Sequence, residues 1–257
     1  MKRAVLWLLA VALSVGLTLL IFFPAAWLAA IAERQSGGRL TLGDAQGTLW
    51  HGSAFIGGAA GPNDPVTPLL PGRFGWRLSP LALFGALDLR LENPAALSQP
   101  VTVTGSWKRW QLSPAALLLP AENLAGLGAP LNTIAPSGTL RLSWSALDLA
   151  LAGGALMLEG RTTLELSDMA SRLSAIRPLG SYAMTLDWHG RDAQLALRSL
   201  KGPLLLAGGG SLTNGRLRFS GQAQAAPGYE ENLANLLNLL GQRRTNSDKN
   251  IIALEFR

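Results

Sequence analysis

The feature that most constrains the fold of this chain is a two-residue alternation of apolar and polar side chains between residues 39 and 226. In the segment from Leu87 to Leu91, leucines alternate with an aspartate and an arginine. The same pattern recurs in segments that begin at Leu40, Val101, Leu140, Leu147, Leu164, Met184, Leu195 and Leu217. Because successive side chains of a strand point to opposite faces of a sheet, each segment predicts a strand with one apolar face.

Glycine-rich segments separate these predicted strands and indicate short connections. Gly153-Gly154, Gly208-Gly209-Gly210 and Asn214-Gly215 have the composition of tight turns. The chain has 29 Gly, 15 Pro and 8 Trp among 257 residues, which favours strands and turns over a helical bundle. We therefore predict a mainly β fold, a curved antiparallel meander with few short helices, whose apolar faces must be covered.

The N-terminal segment is different, because residues 4–23 contain no charged side chain. As a helix they span about 30 Å, the thickness of the hydrocarbon core of a bilayer. Lys2 and Arg3 precede the segment, so the positive-inside bias places the N-terminus in the cytoplasm. The predicted organisation is a cytoplasmic start at 1–3, a transmembrane anchor at 4–23, a helical linker at 24–38 and a periplasmic β-rich domain at 39–257, with possible halves at 39–125 and 136–257. The predicted location is the bacterial inner membrane, as a single-pass protein with the bulk of the chain in the periplasm.

A cleavable signal peptide is the alternative interpretation of the same segment. Ala30-Ile31-Ala32 is an acceptable cleavage site, and the basic start is short. The apolar run is longer than the 7–15 residues or so of a signal peptide, which favours a retained anchor. Under both interpretations the body of the protein lies outside the cytoplasm.

One internal repeat predicts local structure in detail. The segment from Trp76 to Leu83 recurs as the segment from Trp110 to Leu117, and both contain a Ser-Pro pair after a Trp-x-Leu strand. Serine is a good N-cap and proline suits the first helical position, so a short helix is predicted after each strand.

The C-terminal region predicts an amphipathic helix followed by a final strand. Leucines at i, i+3, i+4 and i+7 run through Glu230 to Leu240, two glutamates lie in the first turn, and Gly241 follows. A polar, basic loop at 242–250 leads to the strand. We predict that this strand can offer its edge to a partner strand, with Ile251, Ile252, Leu254 and Phe256 as the contact residues. An ordinary strand inside the sheet is the alternative.

The inventory of chemical groups predicts a protein that is not an enzyme. The chain has no Cys and only two histidines, His51 and His189, and neither has a carboxylate at metal-ligand spacing. No nucleophile elbow, phosphate loop or dinucleotide motif is present. We predict no catalytic residue, cofactor or metal. The net charge of +6 comes from scattered basic residues, which argues against nucleic acid as a partner and allows a weak attraction to anionic lipids.

Most of the eight tryptophans fall in β-like segments, and we expect most of them in the core. The alternative is that some of them line an apolar groove between the sheet faces.

Three segments resemble the protein N (GspN) family of the bacterial type II secretion system. They are Phe23 to Trp27, the strand that begins Arg39-Leu40, and the run from Gly47 to Ala54. The structural signature of the resemblance consists of Gly47, Thr48, Leu49, Trp50 and Gly52. The resemblance implies an inner-membrane subunit with a periplasmic β-rich domain, no enzymatic activity, and other subunits of the secretion system as partners. The N-terminal anchor predicts membrane lipids as a further partner.

The alternative function is an AsmA-like envelope protein that binds or transfers lipid in an apolar groove. A groove that is open along its length would favour lipid handling, whereas a filled core would favour a structural component. A periplasmic enzyme is a third interpretation, which the empty inventory of chemical groups disfavours.

Overall fold

The computed structural model describes residues 2–61, 64–129, 131–240, 242–243 and 251–256. Within these residues it has four α-helices, two 3-10 helices and a single sheet of seventeen strands. The helices are α1 (Lys2–Ile21), α2 (Ala25–Gln35), η1 (Pro80–Phe84), η2 (Ala121–Leu127), α3 (Leu131–Ile134) and α4 (Glu230–Leu240). The strands are β1 (Leu40–Gly47), β2 (His51–Gly58), β3 (Thr67–Pro68), β4 (Phe74–Leu78), β5 (Leu87–Glu92), β6 (Val101–Gly105), β7 (Arg109–Leu112), β8 (Ala115–Pro120), β9 (Ser137–Trp144), β10 (Leu147–Ala152), β11 (Ala155–Ala170), β12 (Gly180–Gly190), β13 (Asp192–Lys201), β14 (Leu204–Thr213), β15 (Arg216–Ala225), β16 (Gln242–Arg243) and β17 (Ile251–Phe256).

The sheet is an antiparallel meander, which confirms the mainly β prediction. β7 and β8 form one interrupted strand, and they pair along their length with the interrupted strand formed by β10 and β9. The sixteen-residue β11 pairs through its first half with β10 and through its second half with β9. At the end of the sheet β17 inserts between β15 and β16. The predicted halves of the β-rich domain stay a prediction.

The pairing register brings the apolar positions of neighbouring strands onto one face. Leu89 lies opposite Val103, and Leu186 lies opposite Leu195. We call this the apolar face, which comprises Leu42, Trp76, Leu89, Val103, Trp110, Leu149, Leu158, Leu186, Leu195, Phe219 and Ile252. The opposite, polar face carries residues such as Arg90, Gln111 and Asp148. Sequence alternation therefore determines which side of the sheet is apolar.

A buried core forms where α4 covers the last strands. Leu233 of α4 is fully buried, and Ile252 of β17 is 2% exposed. The core also contains Leu179, Leu204, Ala223, Ala225, Leu236, Leu237 and Leu254. The predicted amphipathic helix is thus confirmed, since its leucine stripe packs against the sheet. The proposed stop at Gly241 and most of the polar loop at 242–250 lie outside the described residues.

Two local predictions are wrong for physical reasons that the structure makes plain. The triglycine Gly208–Gly210 was predicted to be a turn, but it lies inside β14. Its glycines allow close packing within the sheet, since a Cβ at Gly208 would approach the ring of Phe219 to 2.5 Å. The second copy of the repeat continues as strand β8 and forms no helix. The first copy does form the predicted turn of helix, η1, with the Ser79 hydroxyl accepting a hydrogen bond from Leu81 N–H.

The N-terminal region consists of two helices that precede the first strand. α2 begins directly after Pro24, and Ser36 follows its last residue. Among the residues that the structure describes, no helix has both the length and the apolarity required to cross a membrane. The predicted anchor at residues 4–23 therefore stays a prediction.

Candidate functional site

The signature segment forms the turn between β1 and β2, and its first glycine is required by the geometry. Gly47 has a φ of 85°, and a Cβ there would lie 2.4 Å from the His51 carbonyl oxygen. The Thr48 N–H donates to that same oxygen at 2.9 Å. The His51 N–H donates back to Thr48 Oγ1 at 3.2 Å. The turn is therefore tight, with its own polar groups paired.

This turn holds the C-terminal end of α1. The indole Nε1 of Trp50 donates to the Leu20 carbonyl oxygen at 2.8 Å, and Leu49 N–H donates to the Phe23 carbonyl oxygen at 2.8 Å. Thr48 forms an isolated antiparallel bridge with Pro24. The last carbonyls of a helix have no partner within the helix, so the Trp50 indole satisfies the Leu20 carbonyl, and Leu49 N–H binds the short connection that follows α1. The signature thus fastens the end of α1 to the edge of the sheet. We call this set of contacts, between residues 20–24 and residues 47–52, the junction.

Trp76 completes this junction from β4. Its Nε1 donates to the carbonyl oxygens of Thr48 at 3.2 Å and Leu49 at 3.1 Å. The ring lies over Gly52, where a Cβ would approach Trp76 Cζ2 to 2.5 Å. The sequence identified the glycines and Trp50 but not their partners, because register with β4 is a long-range property. The sequence signal that was available for Trp76 is the alternation, which places this residue on the apolar face.

A polar cluster stabilises the bulge of β1 beside the turn. The pairing of β1 with β2 shifts register between Gly43 and Gln46, and Asp44 adopts a φ of 47° there. Arg73 forms an ion pair with the Asp44 carboxylate and donates to Ser53 Oγ at 3.1 Å. Hydrogen bonds from Gln46 and then from Arg73 lower the pKa of Asp44 below its ordinary value.

A cavity of about 330 Å³ opens on the polar face next to the turn. Its lining includes His51, Arg77 and Arg90, which face one another across β2, β4 and β5. Arg90 Nε donates to Glu92 at 2.7 Å, so one of the cations is already paired. The second histidine lies far along the chain, where His189 Nδ1 is 3.4 Å from the Glu159 carboxylate on the exposed polar face. In the part of the chain that the structure describes, no group of three His, Cys, Asp or Glu side chains could hold a metal ion.

The final strand pairs along the whole of one edge, whereas along its other edge only β16 pairs with it among the residues that the structure describes. All six of its residues pair with β15, whereas β16 pairs only with Ile252 and Ala253. The side chains of Ile252 and Leu254 are buried in the core beneath α4. Partner contact by Ile251, Ile252, Leu254 and Phe256 stays a prediction, and in this arrangement it would use their backbone.

The apolar face away from α4 is only partly covered. None of the eight tryptophans is fully buried, so the expectation that most of them lie in the core is wrong; on this face Trp110, Trp144 and Trp188 are half-buried. The indole of Trp144 donates to the Ser113 carbonyl oxygen at 2.9 Å, and that of Trp188 donates to Thr162 Oγ1 at 3.1 Å. The strands of this region therefore present an apolar surface that is partly open.

The fold and the junction together define a class of protein: an antiparallel β-meander joined through its first turn to an N-terminal helix. The model of the family described as "Type II secretion system (T2SS), protein N" matches residues 38–249. The chain belongs to this family, which confirms the resemblance seen in the signature segment. No curated protein and no solved structure matches the chain.

Proposed function

We propose that this protein is a non-enzymatic inner-membrane component of the type II secretion system that assists export of folded exoproteins from the periplasm. The observation that carries the proposal is the family match, which covers residues 38–249 and includes the signature turn. The junction and the sheet offer backbone edges and apolar surface, which suit a binding role. Its partners are then other subunits of the system.

The same proposal includes a membrane anchor and a periplasmic body. Support comes from the uncharged sequence at residues 4–23 and from the side chains of α1, among which Trp7 is 73% exposed and Leu13 is 75% exposed. An isolated helix with such a surface is stable in lipid and costly in water. Residues 39–257 then lie in the periplasm, because Lys2 and Arg3 favour a cytoplasmic N-terminus.

The experiment that tests the proposal uses intact envelopes. The full chain, tagged after Arg257, should co-purify with other secretion subunits. Cells that lack the protein should release less exoprotein. Because the chain has no Cys, a photo-crosslinker on Ala253→Cys can test whether the final strand lies close to a partner. The matched control is Leu200→Cys, an exposed site on another strand. Failure of the full chain to capture any secretion subunit would contradict the proposal.

The partly open apolar face favours lipid handling of the AsmA type as a second candidate function. Half-buried leucines and tryptophans on one continuous face suit acyl chains better than polar ligands. If this function holds, the purified protein should carry co-purified lipid, measured by mass spectrometry. Leu195→Asp should reduce the bound lipid, whereas Ala196→Asp, on the polar face of the same strand, should not. Purified protein that carried no lipid would contradict lipid handling, and the structural role would be the remaining candidate.

A further inference from the structure

The turns at one end of the sheet share a composition that the other end lacks. Within the described part of the chain, antiparallel pairing places six turns at this end, which we call the helix-proximal end. They are residues 48–50, 79–86, 106–108, 153–154, 191 and 214–215. These turns contain no Asp or Glu, and their charged residues are Lys108 and Arg191. Loops at the opposite end carry Asp64, Glu122, Arg172 and Arg177.

Two of the helix-proximal turns, residues 79–86 and 106–108, form a contiguous apolar patch. In η1, Phe84 is 85% exposed and Leu81 is 59% exposed, and Trp107 in the next turn is 66% exposed. The turns touch, because a Cβ at Gly85 would lie 2.4 Å from Trp107 Nε1. Strand β10 adjoins the patch through Leu151, which is 43% exposed and whose N–H donates to the Lys108 carbonyl oxygen at 2.7 Å. Soluble monomers rarely leave large aromatic side chains clustered and this exposed.

The patch lies beside the point where α1 meets the sheet. The Trp50 carbonyl oxygen accepts a hydrogen bond from Leu78 N–H at 2.7 Å, directly before η1, while the Trp50 indole binds the end of α1. Neighbouring strands are about 4.8 Å apart, so η1 begins within roughly 15 Å of the helix end. Trp27, in α2, is 61% exposed, and its ring centroid is 5.4 Å from that of Phe23. Exposed aromatic rings thus lie on α2 and on η1, the two elements that adjoin the helix end.

We propose that the helix-proximal end binds the surface of the lipid bilayer, with Phe84 and Trp107 inserted at the boundary between head groups and acyl chains. Aromatic rings prefer this boundary, and Lys108 and Arg191 can reach anionic head groups from it. The inference rests on the proposed function, since it takes α1 as the membrane anchor. It adds that the sheet stands upright on the bilayer and that its apolar face begins at the lipid surface.

The test uses the full chain in vesicles of phosphatidylethanolamine and phosphatidylglycerol. Because the chain has no Cys, an environment-sensitive fluorophore can be attached at Phe84→Cys alone, and spin-labelled lipids can serve as quenchers. Leu200→Cys, 51% exposed at the opposite end, is the matched control, and Leu13→Cys reports on the anchor. Lys108→Cys gives a second probe in the neighbouring turn. Substitution at such exposed sites leaves the core intact.

We expect quenching at Phe84→Cys to exceed that at Leu200→Cys several-fold, with Lys108→Cys following Phe84→Cys. Equal quenching at Phe84→Cys and Leu200→Cys, with Leu13→Cys strongly quenched, would overturn the surface contact and leave the anchor standing. Quenching at Phe84→Cys without quenching at Leu13→Cys would support the surface contact and contradict the membrane-spanning anchor.

Discussion

The last strands of the sheet and its middle strands carry the same alternating pattern but have different surroundings. In the last strands α4 lies on the apolar face, and Leu233 and Ile252 are almost completely buried. In the middle strands Leu89 and Trp110 occupy equivalent positions and stay half-buried. The difference shows that alternation decides which face is apolar, whereas a covering helix decides whether that face becomes core.

The two regions of the sheet therefore contribute differently to stability and to contacts. Burial of apolar surface stabilises a fold by about 25 cal/mol per Å², so the region under α4 contributes most per residue. The partly open region gains less stability and keeps apolar surface for other contacts. The helix-proximal turns continue that surface toward the end of α1.

The largest expected effect is a loss of stability when a buried side chain under α4 is truncated. Leu233→Ala should lower the free energy of unfolding by about 3–5 kcal/mol, because the removed atoms are fully buried and leave a cavity. Leu89→Ala, on the partly open face, should cost about 1 kcal/mol, because part of the side chain already meets solvent. Denaturant unfolding of the full chain in detergent micelles, followed by tryptophan fluorescence, measures both. Equal losses would mean that the two regions are covered alike.

The next effect concerns the junction between helix and sheet. Gly52→Ala should cost about 1–3 kcal/mol, because its Cβ would approach the Trp76 ring and two carbonyl oxygens within 3.0 Å. Gly209→Ala is the matched control, since its nearest neighbour would be 3.5 Å away in the middle of a strand. The same unfolding measurement applies. A junction that tolerated Gly52→Ala as well as the control variant would show that Trp76 does not need this close approach.

A smaller effect is expected from the buried hydroxyl of Tyr182 in β12. Tyr182 is 5% exposed, donates to the Leu204 carbonyl oxygen at 3.1 Å, and has a pKa raised by burial. Tyr182→Phe should cost about 1 kcal/mol near neutral pH. Since the folded state resists ionisation, the native chain should lose stability as the pH rises above the ordinary tyrosine value of about 10, and Tyr182→Phe should lose less. Parallel alkaline slopes for the two proteins would contradict this assignment.

Much of the fold follows from the sequence because its signals are local. Alternation identified the strands and their apolar face, and the leucine stripe with two glutamates identified α4. The repeat after Trp110 misled because long-range pairing with β9 outweighs a local helix signal. The triglycine of β14 misled because its glycines make room for Phe219, which lies on the neighbouring strand. Both errors are cases in which tertiary contact overrides local propensity.

The junction was only half visible from the sequence. The composition from Gly47 to Gly52 marked a special segment, since glycine at positive φ and a tryptophan close together have few purely local uses. Its purpose depended on partners at Leu20 and Trp76, about thirty residues away on either side. The exposed patch at η1 and Trp107 was invisible because exposure of an apolar residue is a tertiary property.

The smallest expected effect lies at the exposed rim near the junction, where polar contacts replace core packing. The pKa of Asp44 is lowered by hydrogen bonds from Gln46 and Arg73, so its contribution to stability is present above the ordinary value of about 3.9 and is lost as the pH falls through the folded-state pKa. Asn also tolerates the positive φ found there, which makes Asp44→Asn a conservative variant. We expect native protein to be slightly more stable than Asp44→Asn at neutral pH and equal to it in acid. Asp88→Asn, on the exposed polar face of β5, is the control and should leave the stability unchanged both at neutral pH and in acid. A difference between native protein and Asp44→Asn that stayed constant down to pH values well below 3.9 would show that this ion pair does not stabilise the rim.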